Sequence, residues 1–221
     1  MSSHIFANAM IIAENRQFIG QITVENGIIT EVKESTVIPQ GAQDCNGDFV
    51  SPGLIELHTD NLEHHLQPRP EVKWPVCSAI LAHDQELAST GITTVFDAIR
   101  IGSILSEKKA LFDGYARETV TAINTLLSEG SMKISHFIHL RAETCSETLI
   151  EELDEFNADD RVNMISLMNH TPGQRQFRDI DKLEKYLSNK HSMTKEQLQE
   201  HFKFQRDLHE RLGVKHTAAT V

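Results

Sequence analysis

Cysteine is scarce in this chain, and its scarcity excludes a protein held together by disulfides. The 221 residues include only Cys45, Cys77 and Cys145, an odd number spread widely along the sequence. Such usage is typical of free thiols in a reducing compartment. The sequence also lacks a basic N-terminal region leading into an apolar run, and it lacks an apolar stretch of the about 20 residues that a membrane helix needs. We therefore expect a cytoplasmic protein with no membrane partner.

Positive charge is also in short supply. The 21 Lys and Arg residues are outnumbered by 32 Asp and Glu residues, which gives a formal net charge of −11 at pH 7. Proteins that bind nucleic acid or anionic membranes without specificity need clustered Lys and Arg. The composition therefore argues against nucleic acid as a partner, and any anionic substrate has to meet a local group of basic residues.

The first 50 residues have the pattern of a small β module. Two apolar segments, 18–24 and 28–32, flank Asn26-Gly27, a dipeptide that favours a type I′ hairpin turn. We expect residues 1–50 to form a small β-sandwich-like domain. No residue in it forms a recognisable catalytic motif.

From residue 51 to residue 221 the sequence alternates between apolar strand segments and amphipathic helical segments. This alternation is typical of a parallel sheet with helical crossovers. The pattern predicts an α/β domain that forms part of a TIM-like (β/α) barrel. Because a complete barrel takes about 250 residues, the predicted barrel is incomplete at its C-terminal side. The predicted strands are 54–58, 92–99, 134–140 and 162–168, and the predicted helices are 78–90, 108–127, one capped by Ser146, 180–187 and 194–212.

Polar side chains follow each predicted strand. His58 and Asp60 stand two residues apart after the first strand, so their side chains point the same way. An imidazole beside a carboxylate suits a divalent cation, although polar residues at a strand end can also serve only to satisfy loop backbone. The carboxyl ends of parallel strands meet at one edge, where α/β proteins place their sites. The other strand-end residues are Asp97, Arg141, Glu143, Asn169 and His170.

The polar residues lie within longer motifs. These are Pro52-Gly-Leu-Ile-Glu-Leu-His-Thr-Asp-Asn61, Pro68-Arg-Pro-x-Val-x-Trp-Pro75, His83-Asp84, Gly91-Ile-Thr-Thr-Val-x-Asp97, His139-Leu-Arg-x-Glu143 and Ser166-Leu-Met-x-His-x-Pro-Gly-Gln-Arg-Gln-Phe177. Together the motifs resemble the amidohydrolase superfamily, whose β/α barrels hold one or two divalent metals. They resemble, more closely, a diphosphatase family within it that acts in bacterial phosphonate use.

The resemblance implies a metal site and a reaction. One or two divalent ions, Zn²⁺ or Mn²⁺, would be held by residues that match the family's ligands, namely His58, Asp60, Glu143 and His170. Asn169 stands where the family has an aspartate. The implied reaction hydrolyses the triphosphate arm of a phosphorylated ribose, α-D-ribose 1-methylphosphonate 5-triphosphate, and releases pyrophosphate.

Such a substrate brings several negative charges, so basic residues near the strand ends are expected to bind it. The candidates are Arg69, Arg141, Arg175 and Lys73, together with His83. For each of these cations a surface position without a substrate is the alternative.

The superfamily also uses a further histidine ligand and a general-base aspartate, and neither is found here. We expect both to lie beyond residue 221, so that the chain is an N-terminal fragment that is inactive alone. A homo-oligomer or a complementing C-terminal chain would then be its partner. Two alternatives stay open: a catalytically dead fragment that serves as an interaction module, and another amidohydrolase acting on a cyclic amide.

Overall fold

A computed structural model describes residues 2–69, 72–105, 114–174, 178–191 and 194–221, with the side chains of 186–191 left out of the description. The chain divides into two compact units, Met1–Gly53 and Leu54–Val221. Within the described ranges, no helix combines the length and the apolar character needed to cross a membrane.

The first unit is built on one sheet. Its described strands form a five-stranded sheet of order β3-β2-β1-β4, with β5 also paired to β1. The turn between β2 and β3 has positive φ at both central residues, 52° at Asn26 and 82° at Gly27, as a type I′ hairpin requires. The strands are β1 (Ser3–Ile12), β2 (Gln17–Glu25), β3 (Ile28–Glu34), β4 (Gln43–Asp44) and β5 (Phe49–Val50).

The second unit contains a parallel four-stranded sheet in simple sequential order, β6-β7-β8-β9. Helical segments connect the strands, so the predicted mixed α/β fold with a parallel half-barrel sheet is confirmed. The strands are β6 (Leu54–Thr59), β7 (Ile92–Ile101), β8 (Ser135–Glu143) and β9 (Val162–Met168).

The helices of this unit follow the predicted order, with differences at their ends. Gly91, at φ 85°, follows the end of α2 as predicted. The cap expected at Ser146 is wrong: α4 begins after Thr148, and the Ser146 hydroxyl instead donates to the carbonyl of Glu143 at 2.7 Å. The helices are α1 (Asn61–Leu66), α2 (Val76–Ser89), α3 (Ala116–Ser128), α4 (Leu149–Leu153), α5 (Ile180–His191), α6 (Lys195–Leu208) and α7 (Val214–Thr220).

The last predicted helix, 194–212, corresponds to α6 and the π-helical turn that follows it. Thr194 caps α6 through a reciprocal pair of hydrogen bonds with Gln197. A π-helical turn, His209–Gly213, then joins α6 to α7. Residues 214–220 are therefore helical and extend beyond the predicted end of the helix at residue 212.

The parallel sheet has two faces of different character, because neighbouring residues of a strand point to opposite sides. One face packs against α2 and α3 and forms the core, so we call it the helix face; its buried members include Ile99, Ile101, Ile138, Leu140 and Ala142. The other face we call the site face. Its members on β7 and β8 are Phe96, Ala98, Arg100, Phe137, His139, Arg141 and Glu143.

Candidate metal and anion site

The first predicted pair lies at the carboxyl end of the edge strand β6. His58 is the penultimate residue of β6 and Asp60 is the residue from which α1 begins, and both are exposed. The His58 amide donates to the Glu56 carboxylate at 2.8 Å, which fixes the strand end locally. The structure therefore places both side chains where an ion or substrate can reach them.

Arg141, on β8, joins two carboxylates that follow β6 to a third at the end of β8. Its guanidinium donates to Asp60 Oδ2 at 3.2 Å and to Glu63 Oε1 at 3.2 Å, and its Nε lies 3.7 Å from Glu143 Oε1. Only 11% of the Arg141 side chain is exposed. We call these four residues, Arg141, Asp60, Glu63 and Glu143, the Arg141 cluster. Because it contains three carboxylates and one guanidinium, the cluster has a net negative charge. It therefore attracts a further cation and repels an unaccompanied anion.

Glu143 and His170 come from neighbouring strands and meet directly. Glu143 ends β8 and His170 follows β9, and the His170 Nδ1–H donates to Glu143 Oε2 at 2.7 Å. Because Glu143 also faces Arg141, a continuous chain of polar contacts runs from Asp60 to His170. Three of the four predicted metal ligands thus belong to one connected group.

His58 contacts a different residue, His139. The two rings are 4.8 Å apart between centroids and almost perpendicular, at 80°. His139 lies on β8, two strands away from β6, so the contact spans β7. Ala98 pairs with His139 in the sheet, and its small side chain leaves room above β7 for the two imidazoles to meet.

His139 is buried, with 2% of its surface exposed. Its Nδ1–H donates to the carbonyl of Leu57 at 2.9 Å. Burial, together with the neighbouring His58 and Arg141, lowers the pKa of His139 below its usual value, despite the opposing effect of the Leu57 carbonyl. The imidazole is therefore neutral at physiological pH.

His83 does not belong to this group. It is fully buried on α2 and donates from Nε2 to Asp97 Oδ1 at 2.9 Å, on the helix face of the sheet. Its Nδ1 lies 3.4 Å from the side-chain nitrogen Nδ2 of Asn61. With both nitrogens occupied and no exposed surface, His83 cannot reach a substrate in this structure, contrary to our expectation from the sequence.

Asp97, which we had grouped with the strand-end residues, belongs to the same buried network. His136 donates from Nδ1 to Asp97 Oδ2 at 2.7 Å and from Nε2 to Asp84 Oδ1 at 3.2 Å. Asp84 also accepts from the amides of Lys133 and Ile134. We call His83, Asp97, His136 and Asp84 the buried network.

Charges in the buried network stabilise one another. Burial alone would raise the pKa of Asp97, but hydrogen bonds from His136 and His83 hold it below its usual range. Burial alone would lower the pKa of His136, but Asp97 and Asp84 raise it above its usual value. His136 is thus an imidazolium between two carboxylates.

The remaining predicted cations are placed apart from Arg141. Arg69 is exposed and forms an isolated antiparallel bridge with Val72. Lys73 is exposed and lines a pocket with Glu63, Trp74 and Tyr115. The Tyr115 hydroxyl donates to Glu63 at 2.7 Å, so this pocket borders the Arg141 cluster. Burial raises the pKa of Tyr115. Arg175 lies outside the described residues.

The donors fit a divalent cation by their chemistry. Among the described residues, no three His, Cys, Asp or Glu side chains are already arranged around one point as a metal requires. Carboxylates and imidazoles are nevertheless the donors that Zn²⁺ and Mn²⁺ accept. One observation supports the fit: the buried Nε2 of His139 has no hydrogen-bond partner within the part of the chain that is described.

Sequence reasoning missed His139 and Glu63. His139 is two and four residues before Arg141 and Glu143, so the two-residue period of a strand places it on the same face. That signal was available. Glu63 belongs to a short helix, α1, that the sequence pattern had not predicted, and its role was therefore not accessible.

The chain is similar in sequence to a curated diphosphatase. Over 197 residues the chain is 36% identical to the α-D-ribose 1-methylphosphonate 5-triphosphate diphosphatase of Escherichia coli (strain K12), an alignment that covers 89% of this chain and 52% of that protein. The chain resembles this diphosphatase. It spans about half the length of this curated relative. No family model matches the chain.

Two solved structures show a distant likeness to this chain. A D-hydantoinase is 19% identical, with a TM-score of 0.41, and the match covers 75% of this chain and 32% of that one. A molinate hydrolase is 15% identical, with a TM-score of 0.40, and the match covers 85% of this chain and 43% of that one.

Proposed function

We propose that this chain carries part of the active site of a metal-dependent diphosphatase. The substrate would be α-D-ribose 1-methylphosphonate 5-triphosphate, and the products 5-phosphoribosyl 1-methylphosphonate and pyrophosphate. The observation that carries the proposal is the 36% identity to the E. coli diphosphatase over 89% of this chain. Additional support comes from the polar contacts that link the side chains of Asp60, Arg141, Glu143 and His170.

The proposed metal site consists of His58, Asp60, Glu143 and His170, with one or two Zn²⁺ or Mn²⁺ ions. When bound, the cation would lower the pKa of a water and neutralise phosphoryl oxygens. Arg141 would turn from its carboxylates toward the phosphate chain, for which a guanidinium has matching geometry. Because the Arg141 cluster is net negative, cation binding must precede binding of the triphosphate.

A pyrophosphate-release assay on the purified chain with added Mn²⁺ or Zn²⁺ tests this proposal. We expect turnover only with the metal, either from the chain itself or after addition of a polypeptide that supplies the rest of the relative's length. Turnover should be lost in His58→Ala and retained in His64→Ala, which changes an exposed histidine of α1. Absence of turnover in every combination would contradict the proposal.

The second candidate is a catalytically dead fragment that serves as an interaction module, and one observation favours it. The Arg141 guanidinium already pairs with Asp60 and comes within 3.7 Å of Glu143, two carboxylates that a metal would need. If this pairing persists, the chain binds neither metal nor triphosphate. Calorimetric titration with Mn²⁺ and Zn²⁺ separates the two candidates, because only the diphosphatase requires a bound cation.

A further inference from the structure

The strongest unexplained feature of the site face is the tautomer of His139. Its Nδ1 lies 2.9 Å from the Leu57 carbonyl oxygen, which can only accept a hydrogen bond. Nδ1 therefore carries a proton. This leaves the lone pair of Nε2 as the one through which the ring can bind a metal.

That lone pair is buried without a partner among the described residues. An unsatisfied buried acceptor is destabilising, so such atoms are rare in native proteins and need an explanation. The buried network offers a contrast on the other face of the sheet, because His83 and His136 each have both nitrogens engaged. The fold thus satisfies those histidines of the helix face and leaves His139 open.

The nearest imidazole to His139 in the described ring contacts is that of His58. Two imidazoles that hold one Zn²⁺ through bonds of about 2.0–2.1 Å, at angles between about 90° and 110°, have ring centroids about 4.5–5.2 Å apart. The centroids of the His58 and His139 rings are 4.8 Å apart and the rings are nearly perpendicular. This centroid separation falls within the range for two imidazoles that share a cation.

We propose that His139 is a metal ligand, which binds a divalent cation of the imidazole-preferring class, Zn²⁺, through Nε2 together with His58. The proposal rests on the metal dependence proposed above and adds a ligand to it. The Leu57 carbonyl is the positioning group, because it fixes the ring tautomer. Two imidazoles give this position a preference for Zn²⁺ over hard cations such as Mg²⁺.

A direct test uses ¹¹³Cd²⁺ as a stand-in for Zn²⁺ with the chain labelled by ¹⁵N in its histidine rings. We expect one-bond ¹¹³Cd–¹⁵N coupling at Nε2 of His139, while Nδ1 keeps its proton. This measurement is made on the unaltered chain, so it does not depend on whether a variant folds. A Cd²⁺-loaded chain that shows no such coupling at His139 would overturn the proposal.

Affinity provides the second measurement. His139→Gln should weaken Zn²⁺ binding by more than the about 10–100-fold that follows loss of an outer-shell partner. The matched control is His64→Gln, at an exposed histidine of α1, which should bind as the unaltered chain does. Equal affinity of His139→Gln and the unaltered chain would overturn the proposal.

The outcomes separate this proposal from the proposed function. Metal-dependent pyrophosphate release with no coupling at His139 removes the new ligand and leaves the diphosphatase intact. Coupling at His139 without any pyrophosphate release supports the new ligand and contradicts the diphosphatase function. If the unaltered chain binds neither Cd²⁺ nor Zn²⁺, the ligand proposal fails, and the pyrophosphate-release assay described above then decides the function separately.

Discussion

The two faces of the parallel sheet both carry histidines and carboxylates, but these side chains differ in how fully their bonding capacity is used. On the helix face, the buried network surrounds the His136 imidazolium with carboxylates and leaves no ring nitrogen of His83 or His136 unpaired. On the site face, His139 keeps an open nitrogen and the Arg141 cluster carries excess negative charge. The comparison shows that a histidine near a carboxylate indicates a site only when some of its bonding capacity is left over.

The strongest way to break this comparison is to remove the central imidazolium of the buried network. His136→Ala leaves Asp84 and Asp97 buried without their shared cation, and loss of one partner of a buried pair costs about 3–5 kcal/mol. We expect that loss in the free energy of unfolding, measured by urea titration. The control His64→Ala should change it by less than about 0.5 kcal/mol. A loss below about 1 kcal/mol for His136→Ala would show that the buried network is not a charged one.

The pH dependence of stability sharpens the same point. The folded pKa of His136 is raised, so its contribution is fully present below the ordinary histidine pKa of about 6.5 and is lost as the pH rises through the folded value. The folded pKa of Asp97 is lowered, so its contribution is present above about pH 3.9 and is lost as the pH falls through the folded value.

We therefore expect urea titrations to show a decline in stability on the alkaline side, worth about 1.4 kcal/mol for each unit by which the pKa of His136 is raised. The alkaline decline should be absent in His136→Ala. An unchanged alkaline slope in that variant would assign the titration to another group.

On the site face, removal of the arginine should expose the negative charge to metals. Arg141→Met takes away the cation shared by Asp60, Glu63 and Glu143. Zn²⁺ should then bind about tenfold more tightly, because the guanidinium no longer competes for the carboxylates. Calorimetric titration at fixed ionic strength measures this change.

Arg16→Met is a suitable control, since Arg16 forms an exposed ion pair with Glu34 in the first unit. It should leave Zn²⁺ affinity unaltered. Weaker rather than tighter binding by Arg141→Met would show that the arginine organises the carboxylates instead of competing for them.

The smallest expected effect on stability concerns the end of β8. Glu143→Gln keeps an oxygen that can accept from His170 but removes the charge that faces Arg141 and a metal. Thermal unfolding should show a loss of about 1 kcal/mol or less. Zn²⁺ affinity should nevertheless fall about tenfold. A large loss of stability with unchanged affinity would place Glu143 in a purely structural role.

Local signals predicted much of the fold because they depend on neighbouring residues. Asn26-Gly27 has the backbone freedom that a tight hairpin needs, and Gly91 ends a helix with a left-handed conformation. The failed cap shows the limit of such signals. Ser146 has the right chemistry for a helix N-terminus, yet its hydroxyl reaches the Glu143 carbonyl and leaves the cap position to Thr148.

The candidate site was less accessible, because its partners are distant in sequence. Arg141 reaches Asp60 and Glu63 across about 80 residues, as their separations of 81 and 78 positions show. His83 has the polarity of a substrate ligand but is consumed by Asp97 in the core. No local pattern distinguishes a histidine that meets a carboxylate behind the sheet from one that faces a metal in front of it.

The sequence by itself determined the strands of the parallel sheet, most of the helices and the side of each of these strands on which a residue lies, because these follow from the period of the backbone. The tertiary structure alone decided which polar groups were already satisfied. Pairing of His136 with Asp84 and Asp97, and the absence of a described partner for His139 Nε2, depend on how α2 and β6 pack against β7 and β8. Hydrogen bonds act over about 3 Å, so only the folded chain brings these groups within range of one another.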